Sequence, residues 1–551
     1  MGRAIKFIFC LLLFCQASAQ TNYYVTGTSS SGNGSGSSEG NAMALTTAFS
    51  TAVSGDTIMV KSGTYALSDQ ISLNNAGVVV LGYQTTPGDI QTAPYAGLTY
   101  SNGMVTDGVR PQFDFDADGD TRKTGVRINA DNVKFHNIGF QNAGSCIDIT
   151  SSSSGVLVDN CEMWITDDGV IKYNSFAVRI YGDNNLVQNS FALNQEFAGF
   201  YVYQGDNNTV RHCAVYADAP APPGGGTDYY FMTANYQLAA SCDGNLFEYN
   251  IAARKASIQH PGRGIDNKGG TNTIWRYNYI ENTAIEVDFA TSTDVRIYGN
   301  TVVETQPELN YNRTHFELQS GPERIYFYGN IIYNQGRHPA IQLTHSDDGA
   351  SSDPAVENST TDDIYIFSNV FVGTENLVDG FSNASNGYNH TVTNFKFWNN
   401  TVVNCRTMFN VGGGTTLSGT VNNNIFINNT GSWASANTTV TGSNNNFYSN
   451  NFSTQLTAPL SLNPLFTGGL DSEPGSYELQ PGSPMINAGT ALTFPYPFDM
   501  NLGTRVLNGT VEIGAFEFGS VDGGGGSQTP ETPTPPTAPS SGNKFFKKIH
   551  S

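Results

Sequence analysis

The feature that most constrains this chain is a short pattern, an Asn or Asp followed by alternating apolar and polar residues and a closing Asn, that returns every ~22 to 30 residues. It reads Asn132 to Asn137, Gly155 to Asn160, Asn184 to Asn189 and Asn207 to His212. It continues as Gly244 to Asn250, Asn272 to Asn278, Asp294 to Asn300, Arg324 to Asn330, Asp363 to Asn369, Asn394 to Asn400 and Val421 to Asn424. Such a period signals a solenoid, in which each repeat buries its apolar face only against its neighbours. Short Val, Ile, Phe and Tyr runs bounded by Gly and Asn read as strands, and no helical periodicity is sustained. Asn tolerates left-handed backbone and its amide can bond the next turn, so a stacked Asn ladder is expected at one corner of every coil. The expected fold is all-β, a parallel β-helix.

One part of the repeat carries an unusual load. Gly264-Ile-Asp-Asn-Lys268, Ala284-Ile-Glu-Val-Asp288 and His315-Phe-Glu-Leu-Gln319 follow one another in successive repeats. Alternate residues of a strand share a face. Stacking these segments in register therefore turns Asp266, Lys268, Glu286, Asp288, Glu317 and Gln319 outward to solvent, while the apolar residues go inside. Crowded carboxylates repel, and a proton, a metal or a cation must neutralise them. This wall is expected to be the working surface.

The flanks divide the chain. Residues 1–19, with Arg3, Lys6, an apolar run and Ala17-Ser18-Ala19, read as a secretory signal peptide. Residues 20–43 are Ser/Gly-rich and expected to be flexible. A helix over Ala44 to Val53 is expected to cap a β-helix spanning 44–460. Residues 461–520 are expected to close its open last coil, since bare strand edges invite pairing. Residues 521–551 read as a Gly/Pro/Thr-rich linker and a basic tail. Of seven cysteines, two lie in the leader, and the spacing of Cys146, Cys161, Cys213, Cys242 and Cys405 fits neither a disulfide framework nor a zinc site. They are expected to be small core residues. A net charge of −21 argues against nucleic acid as a partner, and no apolar run after the leader is long enough for a membrane helix. The expectation is a secreted monomer, outside the cell, on its surface or in a periplasm. The sequons at Asn207, Asn312 and Asn399 are read as turn chemistry rather than glycan sites.

Loops between the strands add cations to the wall. They carry Asp167, Asp168 and Lys172; Arg254, Lys255, His260 and Arg263; Tyr311 and Arg313; Arg337 and His338. In a chain with 26 Lys and Arg, this gathering points to a cleft. Two mechanisms fit. Carboxylates two residues apart on a strand lie roughly 7 Å apart, which suits an inverting hydrolase with Glu286 as acid and Asp288 as base. Alternatively Asp266, Glu286, Asp288 and Glu317 hold Ca²⁺, which neutralises a uronate while Lys268 removes its α-proton. His260 and Arg263 then serve as acid or bind carboxylates. Arg179, Tyr201, Tyr203, Lys255, Tyr311, Arg313, His315, Gln319 and Arg337 are the expected substrate contacts, the tyrosines as stacking platforms.

The repeated Asn-x-(Val/Ile)-x-x-Asn, followed by Gly/Ala-(Ile/Phe)-x-(Leu/Val) over about residues 45 to 460, resembles the right-handed parallel β-helix superfamily of carbohydrate-active proteins. That resemblance implies a single-stranded right-handed coil and covers lyases, hydrolases, epimerases, tailspikes and adhesins alike. Within it, Asn267-Lys268-Gly269-Gly270-Thr271-Asn272 resembles the Lys-Ser-x-x-Asn rung of alginate lyases and chondroitinase B, implying Lys268 as a base beside Ca²⁺. The Arg that follows one rung later in that family is matched here by Glu286 and Asp288. Glu286-Val287-Asp288 resembles the Glu-x-Asp pair of ι-carrageenases, implying hydrolysis. Asp167-Asp168-Gly169 lacks the Gly-His-Gly and Arg-Ile-Lys that follow in polygalacturonases. The expectation is an enzyme that cleaves an anionic polysaccharide, by elimination or alternatively by hydrolysis, with a non-enzymatic glycan-binding adhesin as the third reading.

Overall fold

The computed structural model describes residues 20–91, 109–115, 123–164, 175–195, 197–217, 230–235, 242–254, 262–304, 315–333, 338–345, 358–382, 389–454, 456–469, 476–507 and 509–520. Each coil contributes one short strand to each of three sheets, a first of 15 strands, a second of 14 and a third of 12 among the described residues. One coil runs Leu186–Gln188 in the first sheet, Phe191–Leu193 in the second and Ala198–Val202 in the third. Strands of successive coils pair in parallel, residue for residue. This is the parallel β-helix that the repeat predicts. Alternation puts Val187, Ala192, Phe200 and Val202 into one continuous core that extends from Val25 to Leu456.

The corners explain the asparagines. Between the first and second sheets the chain turns on two residues, the first of them left-handed: Asn160, Asn189, His212, Tyr249, Tyr277, Gly299, Gly329, Ser368, Asn399 and Asn423 all have φ between 51° and 66°. The second residue points inward. From Asn250 through Asn278, Asn300, Asn330, Asn369, Asn400 and Asn424 to Asn445, each backbone N–H donates to the Oδ1 of the next coil's Asn at 2.8–3.0 Å. The same column begins with Cys161, Ser190 and Cys213, where Cys161 N–H donates to Ser190 Oγ. The five described cysteines are buried and form no disulfide among the described residues, as expected for core residues. Asn207 and Asn399, at two of the sequons, sit in left-handed turns.

Two expectations about the ends need correction. Residues 20–43 are not loose: Asn22–Val25 forms a strand paired with Thr57–Lys61, and the Ser/Gly-rich loop closes on itself through Ser31 N–H to Ala42 O and Gly36 N–H to Asn41 O. Helix Leu45–Thr51 follows and packs Leu45, Ala48 and Phe49 onto the first coils, as a cap should. At the other end, residues 461–520 do not plug the last coil. Trp433, Phe447, Phe452 and Leu456 cover it instead. The 461–520 segment runs back along the outside. Phe466, Tyr477, Leu479, Met485 and Phe516 pack on outward residues of the second sheet, such as Val370, Val403 and Ile427. Leu492, Phe494 and Tyr496 pack on Tyr328, Phe367 and Trp398 of the first. Asn399, Asn423 and Asn444 donate their side-chain amides to Glu512, Thr490 and Ala488 carbonyls of this segment. An outward apolar face gains as much from cover as an open end does, and here it is longer.

Candidate active site

The third sheet carries the charged wall. Strands Arg263–Lys268, Ala284–Asp288 and Phe316–Gln319 stack so that Asp266 lies opposite Glu286 and Glu286 opposite Glu317, while Lys268 lies opposite Asp288 and Asp288 opposite Gln319. Ile265, Asn267, Ile285, Val287, Phe316 and Leu318 alternate with them toward the inside. The first row continues as Arg127, Asp148, Arg179, Tyr201 and Thr233 on one side, and as Gln342, Asp379 and Asn410 on the other. From Ile265 onward the register read from the sequence is the register observed; before it a bulge pairs Arg263, not Gly264, with Ala284.

Exposure differs from expectation. The wall was expected to face solvent, yet Asp266, Lys268, Glu286, Asp288 and Glu317 are between 0 and 9% exposed. An unpaired buried charge is strongly unfavourable, and Lys268, Glu286, Asp288 and Glu317 are set against opposite charges. Arg263 supplies most of the compensation. Its Nε donates to Glu286 Oε2 and its Nη2 to Glu317 Oε2 at 3.2 Å. Glu317 Oε1 also accepts from Thr344 Oγ1 at 2.9 Å. Lys268 Nζ lies 3.8 Å from Asp288 Oδ2, and Asp288 Oδ1 accepts the Phe289 N–H.

The two glutamates are pushed apart in acidity. Burial raises Glu286, but the positive charges of Arg263 and Lys268 outweigh it and hold the carboxyl below its ordinary range. Burial also raises Glu317; Arg263 opposes this, the charge of Glu286 adds to it, and the group ends above its ordinary range. One guanidinium thus joins a carboxyl that holds its proton less tightly than usual to one that holds it more tightly. Next to them, His315 is 3% exposed, and burial together with His338 brings its imidazole down to about 3, so the ring is neutral.

Two and three coils before the charged strands, the aromatic residues cluster. Tyr201 lies opposite Arg179. Tyr181 and Tyr203 meet at 5.1 Å, Tyr201 and Tyr203 at 5.6 Å, and Phe176 meets Tyr201 at 5.2 Å. Arg179 lies over the Phe176 and Tyr181 rings and is bidentate to Asp148. Tyr201 is buried beneath, whereas Tyr181 and Tyr203 are half-buried. The structure therefore brings together Arg263, Asp266, Lys268, Glu286, Asp288, His315, Glu317 and Gln319, with Arg179, Tyr201 and Tyr203 further along the same wall. Lys255, His260, Tyr311, Arg313 and Arg337 lie outside the described residues. Thr344 was missed; a lone Thr offers no signal until the register with Gln319 places it in the wall.

The carboxylates do not fit calcium. Ca²⁺ takes six to eight oxygens at about 2.3–2.6 Å. Among the described residues no three His, Cys, Asp or Glu side chains are arranged to hold a metal ion. Arg263 occupies the place between Glu286 and Glu317 that an ion would need.

No family model and no curated protein matches the sequence significantly. Solved structures do. Pectate lyase Pel9A is 17% identical, with 91% of this chain and 97% of that one covered at a TM-score of 0.33. A family 6 polysaccharide lyase from Pseudopedobacter saltans is 12% identical, with 80% and 92% covered at 0.44. The catalytic unit of an α-1,3-glucanase from Streptomyces thermodiastaticus is 15% identical, with 81% and 70% covered at 0.42. The likeness is one of architecture. Among the described residues no helix is long and apolar enough to cross a membrane.

Proposed function

We propose that this protein is a secreted enzyme that cleaves a polysaccharide on the outward wall of the third sheet, and that the cleavage is hydrolytic. The observation that carries the reading is the pair Glu286 and Glu317 on adjacent coils, joined by Arg263, with the first carboxyl shifted below its ordinary range and the second above it. Glycoside hydrolysis needs one carboxyl that donates a proton to the leaving oxygen and one carboxylate that acts from the other side. Glu317 fits the first role and Glu286 the second.

Adjacent coils lie about 4.8 Å apart. That is close to the ~5 Å carboxyl separation of retaining enzymes and short of the wider gap that an inverting enzyme needs for its water. The pair Glu286 and Asp288 has the wider spacing, but Asp288 is fully buried and taken up by Lys268 and the Phe289 N–H. Elimination is the weaker reading for a related reason. Its base must be unprotonated, and the Lys268 ammonium is held against the Asp288 carboxylate.

The test is incubation with a panel of neutral and uronate polysaccharides, followed for new reducing ends and for ultraviolet absorbance. Reducing ends without absorbance, lost in Glu317→Gln, are the expected result. An unsaturated product would overturn hydrolysis, and unchanged polymer length across the panel would overturn the enzyme.

A further inference from the structure

His315 is the outlier of this wall. It is 3% exposed, yet among the described residues neither ring nitrogen has a hydrogen-bond partner. Buried polar groups nearly always find one, and an imidazole left without any is a position where a missing partner belongs. Its location says what kind of partner. His315 stands two residues before Glu317 on the same outward side, while Phe316 between them points into the core. In its own row the neighbours are the small residues Ala284 and Ala340, one step before the registered pairs of Phe316 with Ile285 and Ile341.

Resting on the reading of this wall as a hydrolytic glycan site, we propose that His315 holds a sugar hydroxyl beside Glu317, and that the glycan selected is uncharged. A neutral imidazole offers one donor and one acceptor, which is what a hydroxyl offers in return. A uronate carboxylate offers only acceptors and would set one lone pair against the unprotonated ring nitrogen. The surrounding charge points the same way. Arg179 is spent on Asp148, Arg263 on Glu286 and Glu317, and Lys268 on Asp288. A uronate would meet an ionised Glu286 whose cation is already engaged. The half-buried rings of Tyr181 and Tyr203 further along the wall suit the apolar faces of neutral sugars.

The experiment is calorimetric titration of the Glu317→Gln protein, able to bind but not cleave, with neutral gluco-, manno- and xylo-oligosaccharides and with oligomers of mannuronate and galacturonate. Binding of a neutral oligomer that is insensitive to salt and weakens about tenfold in His315→Ala is expected. His315→Gln, which keeps a donor and an acceptor, should recover part of the loss. Thermal melting of the free protein provides the second measurement. His315→Leu removes an unpaired buried imidazole, so the melting temperature should hold or rise, whereas a fall would make the ring structural and overturn the inference. Tighter, salt-sensitive binding of a uronate oligomer would also overturn it. If Glu317→Gln fails to fold, KM and kcat of His315→Ala in the otherwise unaltered chain replace the titration, with the loss expected in KM. Cleavage that survives Glu317→Gln counts against the carboxylate pair alone, because the binding comparison does not depend on it.

Discussion

Two outward faces of the same coil have opposite fates. On the first sheet, Tyr298, Tyr326, Tyr328, Phe367 and Trp398 stand in rows that residues 492–502 cover, with Tyr328 and Tyr496 stacked at 5.5 Å and Phe367 against Phe494 at 5.6 Å. On the third sheet, outward positions hold Asp266, Lys268, Glu286, Asp288 and Glu317. The inward residues of both sheets belong to one core and obey one rule. Outward positions are free of that rule. One face has used the freedom for packing, and the other has accepted several buried charges that a core would exclude. Substitutions on the first should therefore change stability and leave activity alone, and those on the third should do the reverse.

The largest break in that contrast is expected at Glu317. Glu317→Gln keeps the shape and the Arg263 contact but removes the proton to be donated. Loss of a general acid lowers the rate by about 10²- to 10⁴-fold. Cleavage rate measured beside the melting temperature checks it, and a protein that melts normally yet has lost its rate is the expected outcome. Equal loss of both would place Glu317 among the structural charges.

The mirror image is Phe367→Ala, next in size. Phe367 is fully buried between its own coil and Phe494. Truncating such a ring costs about 3–5 kcal/mol. Asn330→Ala should approach the same figure, roughly 3 kcal/mol or more, because the Asn330 amide serves Ile297 O, Tyr328 O and the Asn300 N–H at once. Denaturant titration measures both. Activity per folded molecule should remain that of the parent chain, and a fall would mean that the two faces are coupled.

These contrasts also show what could be read before the structure. The coil was legible because Asn recurs at the corner between the first and second sheets, and the register of 265–268, 285–288 and 316–319 followed from aligning the alternation of successive repeats. Burial of the wall was not legible. Alternation says which side a residue faces, not what lies over it, and so the carboxylates were expected in solvent. The course of residues 461–520 was hidden for a similar reason. Tyr326 and Tyr365 read as strand residues whether or not another segment packs on them, and only Asn399, Asn423 and Asn444 hint at the docking line. Arg263 as the bridge between two glutamates required geometry, since 54 residues separate it from Glu317.

A smaller effect tests the link between charge and rate. The active pair needs Glu286 ionised and Glu317 protonated, so activity should decline on the acid side below the ordinary Glu value of 4.5 and on the alkaline side above it. Stability follows with the same signs. The depressed Glu286 contributes stability above its unfolded value that is lost as pH falls through its folded one, and the raised Glu317 contributes stability below its unfolded value that is lost as pH rises through its folded one. Arg263→Gln removes the main attraction on both, so both limbs of the profile of kcat/KM should move to higher pH, by about one unit. Limbs that stay in place would mean that Arg263 does not set the pair.

The smallest expected effect is none at all. If Arg263 and Lys268 are the cations of this wall, a chelator should leave the cleavage rate unchanged, and added Ca²⁺ should neither raise it nor shift the melting temperature. The physical reason is competition for one place. Glu286 Oε2 and Glu317 Oε2 both accept from Arg263, and an ion that needs six to eight oxygens could enter only by displacing that guanidinium from two buried carboxylates. A rate abolished by chelation and restored by Ca²⁺ would show that Arg263 does move aside. Lys268 would then face a cation instead of Asp288 alone, which is the condition under which it can take up a proton, and elimination would regain the wall.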